Sequence, residues 1–286
     1  MAELLQNPMM VLAFLAGIAA SVIGGTVGTF VVVRRISFIS GSISHSVLAG
    51  IGLVLWLERF YGLDGLSPIA GALVAAIGSA LLIARAEQSF QEREDSIIAT
   101  VWAAGMAIGI VLIAKTPGYT SALSDVLIGN ILWIAPSEVL VLALLALLSL
   151  LFVVVTFQKL KLLAFDPNEA RLQGINVNRL YSTLLVLVGI SVVALTQVVG
   201  LVLVLTMLTL PQLCAGLYCQ RLSSMMVWSV LISIVCTAGG LAAAWVLDWP
   251  AGASIALTSV VVYIAGLAGV GKRGIRTLGT LTGTRP

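Results

Sequence analysis

The chain has 286 residues, 60% of them hydrophobic and only 9% charged, with a mean hydropathy of +1.13. About a quarter of an average soluble chain is charged, so these residues cannot cover a surface in water, and lipid is the solvent they fit. The formal net charge of +3 is laid out as a membrane topology, not gathered into a patch, which argues against nucleic acid as a partner.

Residues 1–8 carry Glu3 and no Lys or Arg. They lack the basic start of a secretory signal, and the apolar run behind them is too long for one, so it reads as a retained span. Crossing roughly 30 Å of hydrocarbon takes about 20 apolar residues. Runs of that kind predict spans at 9–33, 38–57, 66–84, 96–114, 136–157, 180–197, 199–219, 225–247 and 251–270. The stretch 180–219 is about twice the length of one crossing and is divided near Gln197 and Gly200 into two helices with a tight turn. Nine spans result, with eight as the alternative. The piece Tyr119–Ile134 is too polar and short to cross and reads as a half-buried connector. Gly24 with Gly28, and Gly105 with Gly109, have the small-xxx-small spacing of close helix contacts.

The second span holds His45, the only histidine in the chain. Ser37, Ser40, Gly41, Ser44, Ala49 and Gly52 surround it at helical spacing. Ionisable residues inside spans are costly and usually face a bundle interior or a watered path. The stripe fits two readings, the lining of a narrow ion pathway or a close helix contact with one satisfied histidine. Glu92, Glu94 and Asp95 precede the fourth span, where carboxylates complement the helix dipole. Asp125 and Glu138 fall near the opposite face, as attractors of cations or as plain solvated charge.

The polar stretch 159–179 carries Lys159 and Lys161, then Asp166-Pro167, a helix start, with Glu169 as its capping-box partner. Gly174 is a natural stop, so a two-turn helix is expected at the membrane surface. Cys214, Cys219 and Cys236 lie in apolar runs without CxxC spacing and read as buried small hydrophobes. Gly266 to Lys272 matches G-x-x-x-x-G-K, but Arg273 follows where a nucleotide site needs Ser or Thr, and no strand precedes it. ATP hydrolysis is therefore not expected of this chain, and residues 273–286 read as a short polar tail after a single membrane domain over 1–272.

With nine spans, one side receives thirteen of the 15 Lys and Arg residues and the other only Arg59 and Lys115. Short basic loops stay in the cytoplasm, which places the C-terminus inside and the N-terminus outside.

Five segments in order resemble the permease family of zinc and manganese ABC importers. These are Arg34-Arg35-Ile36-Ser37-Phe38 with Ser44-His45-Ser46 and Gly50; Glu94-Asp95-Ser96 through Gly105; Leu127-Ile128-Gly129-Asn130-Ile131-Leu132; Phe165-Asp166 to Gly174-Ile175; and Val199-Gly200 through Leu210-Pro211. The resemblance implies an all-α, type II ABC importer-like permease in a bacterial cytoplasmic membrane. It also implies a second copy of the chain, cytoplasmic ABC ATPase subunits and an extracytoplasmic metal-binding protein as partners. A divalent transition-metal ion is its cargo, with no permanent cofactor. By the same resemblance the pathway falls at His45, Ser44, Ser42 and Gly41. ATPase coupling falls at Asp166, Glu169, Ala170, Arg171 and Gly174, and further family positions are Gly129, Asn130, Gly200 and Pro211. One departure stands out. Many members carry Asp four residues before the histidine, where this chain has Gly41, and Gln212 and Cys214 replace small residues after the proline.

Rival readings are weaker. A secondary carrier usually has inverted repeats and buried carboxylates, and these spans hold almost no acid. An intramembrane metalloprotease needs a motif such as H-E-x-x-H, which a single histidine cannot supply.

Overall fold

Hydrocarbon offers no partner to a backbone amide, so each apolar run must bond within itself and becomes a helix. The structure, a computed structural model, describes residues 8–63, 65–89, 94–116, 131 and 134–281. Within them the chain forms α1 Pro8–Val33, α2 Ser37–Tyr61, α3 Pro68–Ser89, α4 Glu94–Lys115, α5 Pro136–Phe165, α6 Pro167–Leu172, α7 Val177–Gly216, α8 Leu222–Leu247 and α9 Ala251–Leu281. Eight of these stretches are long and apolar enough to cross a membrane among the described residues, and Leu203–Gly216 is a shorter apolar helix. The protein is an all-α multi-pass membrane protein.

The difference between nine and eight lies in α7. Gly200 breaks it with φ 78° and ψ 163°, a backbone region that favours glycine. The break reverses the chain. Before it, Ile190 shares a cavity with Ile23 of α1. Beyond it, Met207 backs onto Gly24, and Leu208 and Gln212 onto Gly28, nearer the end of α1. The two arms therefore run antiparallel, as the expected turn near Gly200 requires, and the second arm is simply short.

Most helices outrun the predicted spans because hydropathy ends where side chains become polar, whereas the backbone continues into the interface. α5 extends to Phe165, so Lys159 and Lys161 belong to it and not to a loop. α9 continues to Leu281, carrying helix past the expected tail boundary at 272. Cys219 lies in the turn after α7, while Cys214 and Cys236 are buried as expected.

Packing forms two groups joined through α7. In the first, α2 lies between α3 and α4; in the second, α1 packs against α5, α7 and α8, and α9 leans on α8 and α7. The basic ends share one face. Arg34 donates from Nη1 to the Leu163 carbonyl at 3.2 Å and sits over the Tyr181 ring at 5.3 Å. Lys161 and Arg221 line one cavity of about 330 Å³ on that same face.

Candidate functional site

His45 points from α2 toward α4. Its ring stacks on the indole of Trp102 with centroids 4.6 Å apart and planes 23° apart. Its Nδ1 is buried with no hydrogen-bond partner among the described residues. The two helices run parallel and can come this close because α4 presents glycine. A Cβ on Gly105 would lie 2.6 Å from the Ser46 Cα, so any side chain there would push α4 and its indole away.

The small polar residues around His45 divide their work. Ser42 Oγ donates across the helix gap to the Ile98 carbonyl at 3.0 Å, tying α2 to α4. Ser44 Oγ turns back onto the Ser40 carbonyl at 2.8 Å. Ser46 Oγ bonds the Ile43 carbonyl at 2.7 Å and shares a 2.6 Å contact with Ser79 Oγ of α3. Gly41 lies under Trp102, where a Cβ would be 2.8 Å from the indole Cζ3. The structure thus packs His45 and Gly41 against Trp102, a residue that sequence reasoning missed, while Ser42 and Ser44 spend their hydroxyls on backbone carbonyls. No set of three His, Cys, Asp or Glu side chains able to hold an ion occurs among the described residues.

The second arm of α7 holds Pro211 and Gln212 against α1. Pro211 has no N–H for the Met207 carbonyl, its partner one turn earlier. Gln212 repairs this, donating from Nε2 to Met207 at 2.9 Å and to Gly24 at 2.7 Å. Two carbonyl acceptors fix which end of the amide is nitrogen, and Oε1 remains buried without a partner among the described residues. Gly24 and Gly28 leave the groove for this arm, since Cβ atoms there would come within 2.7 and 2.6 Å of the Met207 and Leu208 carbonyl oxygens. Gly200 sets the reversal, and Gly129 and Asn130 lie outside the described residues.

On the basic face, α6 is built as expected with one correction. Asp166 accepts from the Glu169 N–H at 3.0 Å, Pro167 opens the helix, and Gly174 closes it at φ 76°. The reciprocal half of the capping box is missing. The Asp166 N–H is already bonded to Leu162 at the end of α5, and Glu169 Oε1 instead accepts from Gln173 at 2.9 Å. Ala170 is 0% exposed and seats the helix against the bundle, while Asp166, Glu169, Arg171 and Gly174 face outward. Phe165 at 64% and Leu172 at 83% exposure bracket α6 with apolar surface. At the opposite face, Glu138 Oε2 accepts from the Ala135 N–H at 2.9 Å and so caps α5. The glycine pattern of 266–272 lies inside helix α9, where the Gly266 carbonyl accepts from Tyr218 Oη at 2.8 Å; a phosphate loop needs free amides instead.

Comparison with known proteins agrees with this arrangement. The family model described as the ABC 3 transport family matches residues 6–269. A probable metal transport system membrane protein of Chlamydia pneumoniae is 42% identical over 91% of this chain and 89% of its own length. The manganese transport system membrane protein MntC of Halalkalibacterium halodurans is 30% identical over 96% and 92%. The solved structure of PsaBC from Streptococcus pneumoniae, in complex with Fab, superposes with a TM-score of 0.80 at 27% identity, covering 93% of this chain and 94% of that one. A single model spanning nearly the whole membrane region, with relatives matched end to end, places the family beyond its fold: the chain belongs to the ABC 3 transport family.

Proposed function

We propose that the chain is the permease subunit of an ATP-driven importer of divalent transition-metal ions, with zinc, manganese and iron as candidate cargo. It works as a homodimer in a bacterial cytoplasmic membrane, on two cytoplasmic ATPase subunits, fed by an extracytoplasmic metal-binding protein. The observation that carries this reading is His45, the sole histidine, held between α2 and α4 with a buried nitrogen that no described group satisfies. Ionisable groups kept bare inside a bundle mark pathways more often than packing. A single donor suits transit, since an ion bound too tightly does not leave.

The coupling surface is α6. Its buried Ala170 fixes it to the bundle, and its outward Asp166, Glu169, Arg171 and Gly174 meet the ATPase, whose closure moves the permease between outward and inward states. The relatives' names, a metal transport membrane protein and a manganese transport membrane protein, support metal as the cargo class.

The test is the metal content of cells grown in metal-limited medium with and without the chain. A selective fall in one metal on deletion, restored by wild type and not by His45→Ala, is the expected result. Restoration by His45→Ala sinks the pathway role. Glu169→Ala with Arg171→Ala is expected to leave the protein in the membrane but abolish ATP-dependent uptake; undiminished uptake removes α6 from coupling.

A further inference from the structure

Among the described residues, the imidazole of His45 is positioned by a ring and by no polar group. Trp102 covers its face at 4.6 Å. The same indole occupies the space before Gly41, one turn earlier on α2, where a Cβ would meet Cζ3 at 2.8 Å and Cη2 at 3.1 Å. From Ser37 to Leu57, α2 carries no carboxylate. The hydroxyls of Ser42 and Ser44, near His45 in sequence, already donate to the carbonyls of Ile98 and Ser40. An ion arriving here meets one pre-oriented nitrogen and weak neutral oxygens.

We propose that Trp102 sets the metal preference of the pathway: stacked on His45 and seated over Gly41, it fixes the imidazole as a lone nitrogen donor and leaves no room for a carboxylate, so zinc and other imidazole-preferring ions cross in preference to manganese. The proposal rests on His45 lying in the path. Its physical basis is donor chemistry: imidazole suits zinc, nickel and copper, whereas carboxylate, carbonyl and water suit manganese. Trp102 is a positioning residue, acting through the ring it orients, as partners behind a ligand commonly do.

The test uses the full chain, expressed with its partner subunits, in cells offered radioactive zinc and manganese together, with uptake normalised to the amount of chain in the membrane. Trp102→Phe keeps a flat ring and is expected to keep the wild-type zinc-to-manganese ratio within about twofold. Trp102→Ala is expected to lower that ratio about tenfold. Gly41→Asp alone collides with the indole and lowers uptake of both metals. Combined with Trp102→Ala, the same aspartate finds space, and uptake returns with manganese favoured by about tenfold over the wild-type ratio. An unchanged ratio in Trp102→Ala, or full uptake by Gly41→Asp beside an intact Trp102, overturns the proposal. If the ratio follows Trp102 but ignores His45→Ala, the pathway reading of His45 fails and takes the proposal with it, whereas a ratio that follows His45 and ignores Trp102 overturns the proposal alone. Should the alanine variants not reach the membrane, fluorescence of the purified chain decides. The emission that wild type has beyond Trp102→Phe is expected to change on adding zinc and not on adding zinc to His45→Phe, which keeps a ring on the indole; no zinc-dependent change in wild type overturns the proposal.

Discussion

His45 on α2 and Gln212 on α7 are both polar, both inside the bundle, and both keep one buried atom without a partner among the described residues. They are held in opposite ways. Gln212 is 0% exposed and uses its amide nitrogen on two backbone carbonyls, one of them orphaned by Pro211. His45 leans on an aromatic face and makes no polar contact through Nδ1. In hydrocarbon an unsatisfied carbonyl costs several kcal/mol, so the glutamine is explained by the helix it completes. Nothing in the helix explains the histidine. A polar residue inside a span therefore signals a pathway only after the backbone's own needs have been met.

That contrast can be broken by substitution, beginning with the groove under Gln212. Gly28→Leu is expected to have the largest effect, because its side chain must displace the Leu208 carbonyl and the glutamine amide. A loss of about 3 kcal/mol should appear as reduced protein in the membrane and a lower unfolding temperature in detergent. Normal stability would mean that α1 and the second arm of α7 do not meet there. Gln212→Leu follows at about 2 kcal/mol, the cost of stranding the Met207 carbonyl that Pro211 leaves without its N–H. His45→Ala should cost about 1 kcal/mol, the lost stack, yet stop uptake. If the two variants instead unfold alike, the division between structural glutamine and functional histidine collapses.

Smaller effects sharpen the picture. Ser42→Ala removes one bond between α2 and α4, worth about 0.6 kcal/mol in membranes, and uptake should stay near wild type; strong loss of uptake at normal stability would put that hydroxyl on the ion's route. Leu172→Ser, on a side chain 83% exposed, should leave the unfolding temperature unchanged and weaken co-purification of the ATPase. Unaltered co-purification would remove Leu172 from the contact.

Much of this was readable in the order of residues, and the missed parts share a cause. The spans, the break at Gly200 and the start and stop of α6 depend on local properties: hydropathy, a residue that tolerates positive φ, and a cap followed by proline. Trp102 over His45 depends on which face of α4 meets α2, and periodicity within one helix does not report its neighbour. Gln212 carried a usable signal, a glutamine just after a proline inside a span, which predicts a donor for the carbonyl the proline abandons. Glu169 was assigned the wrong half of its cap because Asp166 is also the last acceptor-bound amide of α5, a continuity that a turn rule applied to one segment overlooks.

α5 is 30 residues long, so it spans about 45 Å against roughly 30 Å of hydrocarbon. It carries α6 on one end and the capped Ala135–Glu138 turn on the other, and it is seated mainly on α1 with little of its surface enclosed. A straight helix resists compression along its axis far better than the lipid beside it. Under the coupling proposed for α6, α5 is a push-rod: a displacement delivered at α6 would arrive at the far surface as a shift of the rod's other end.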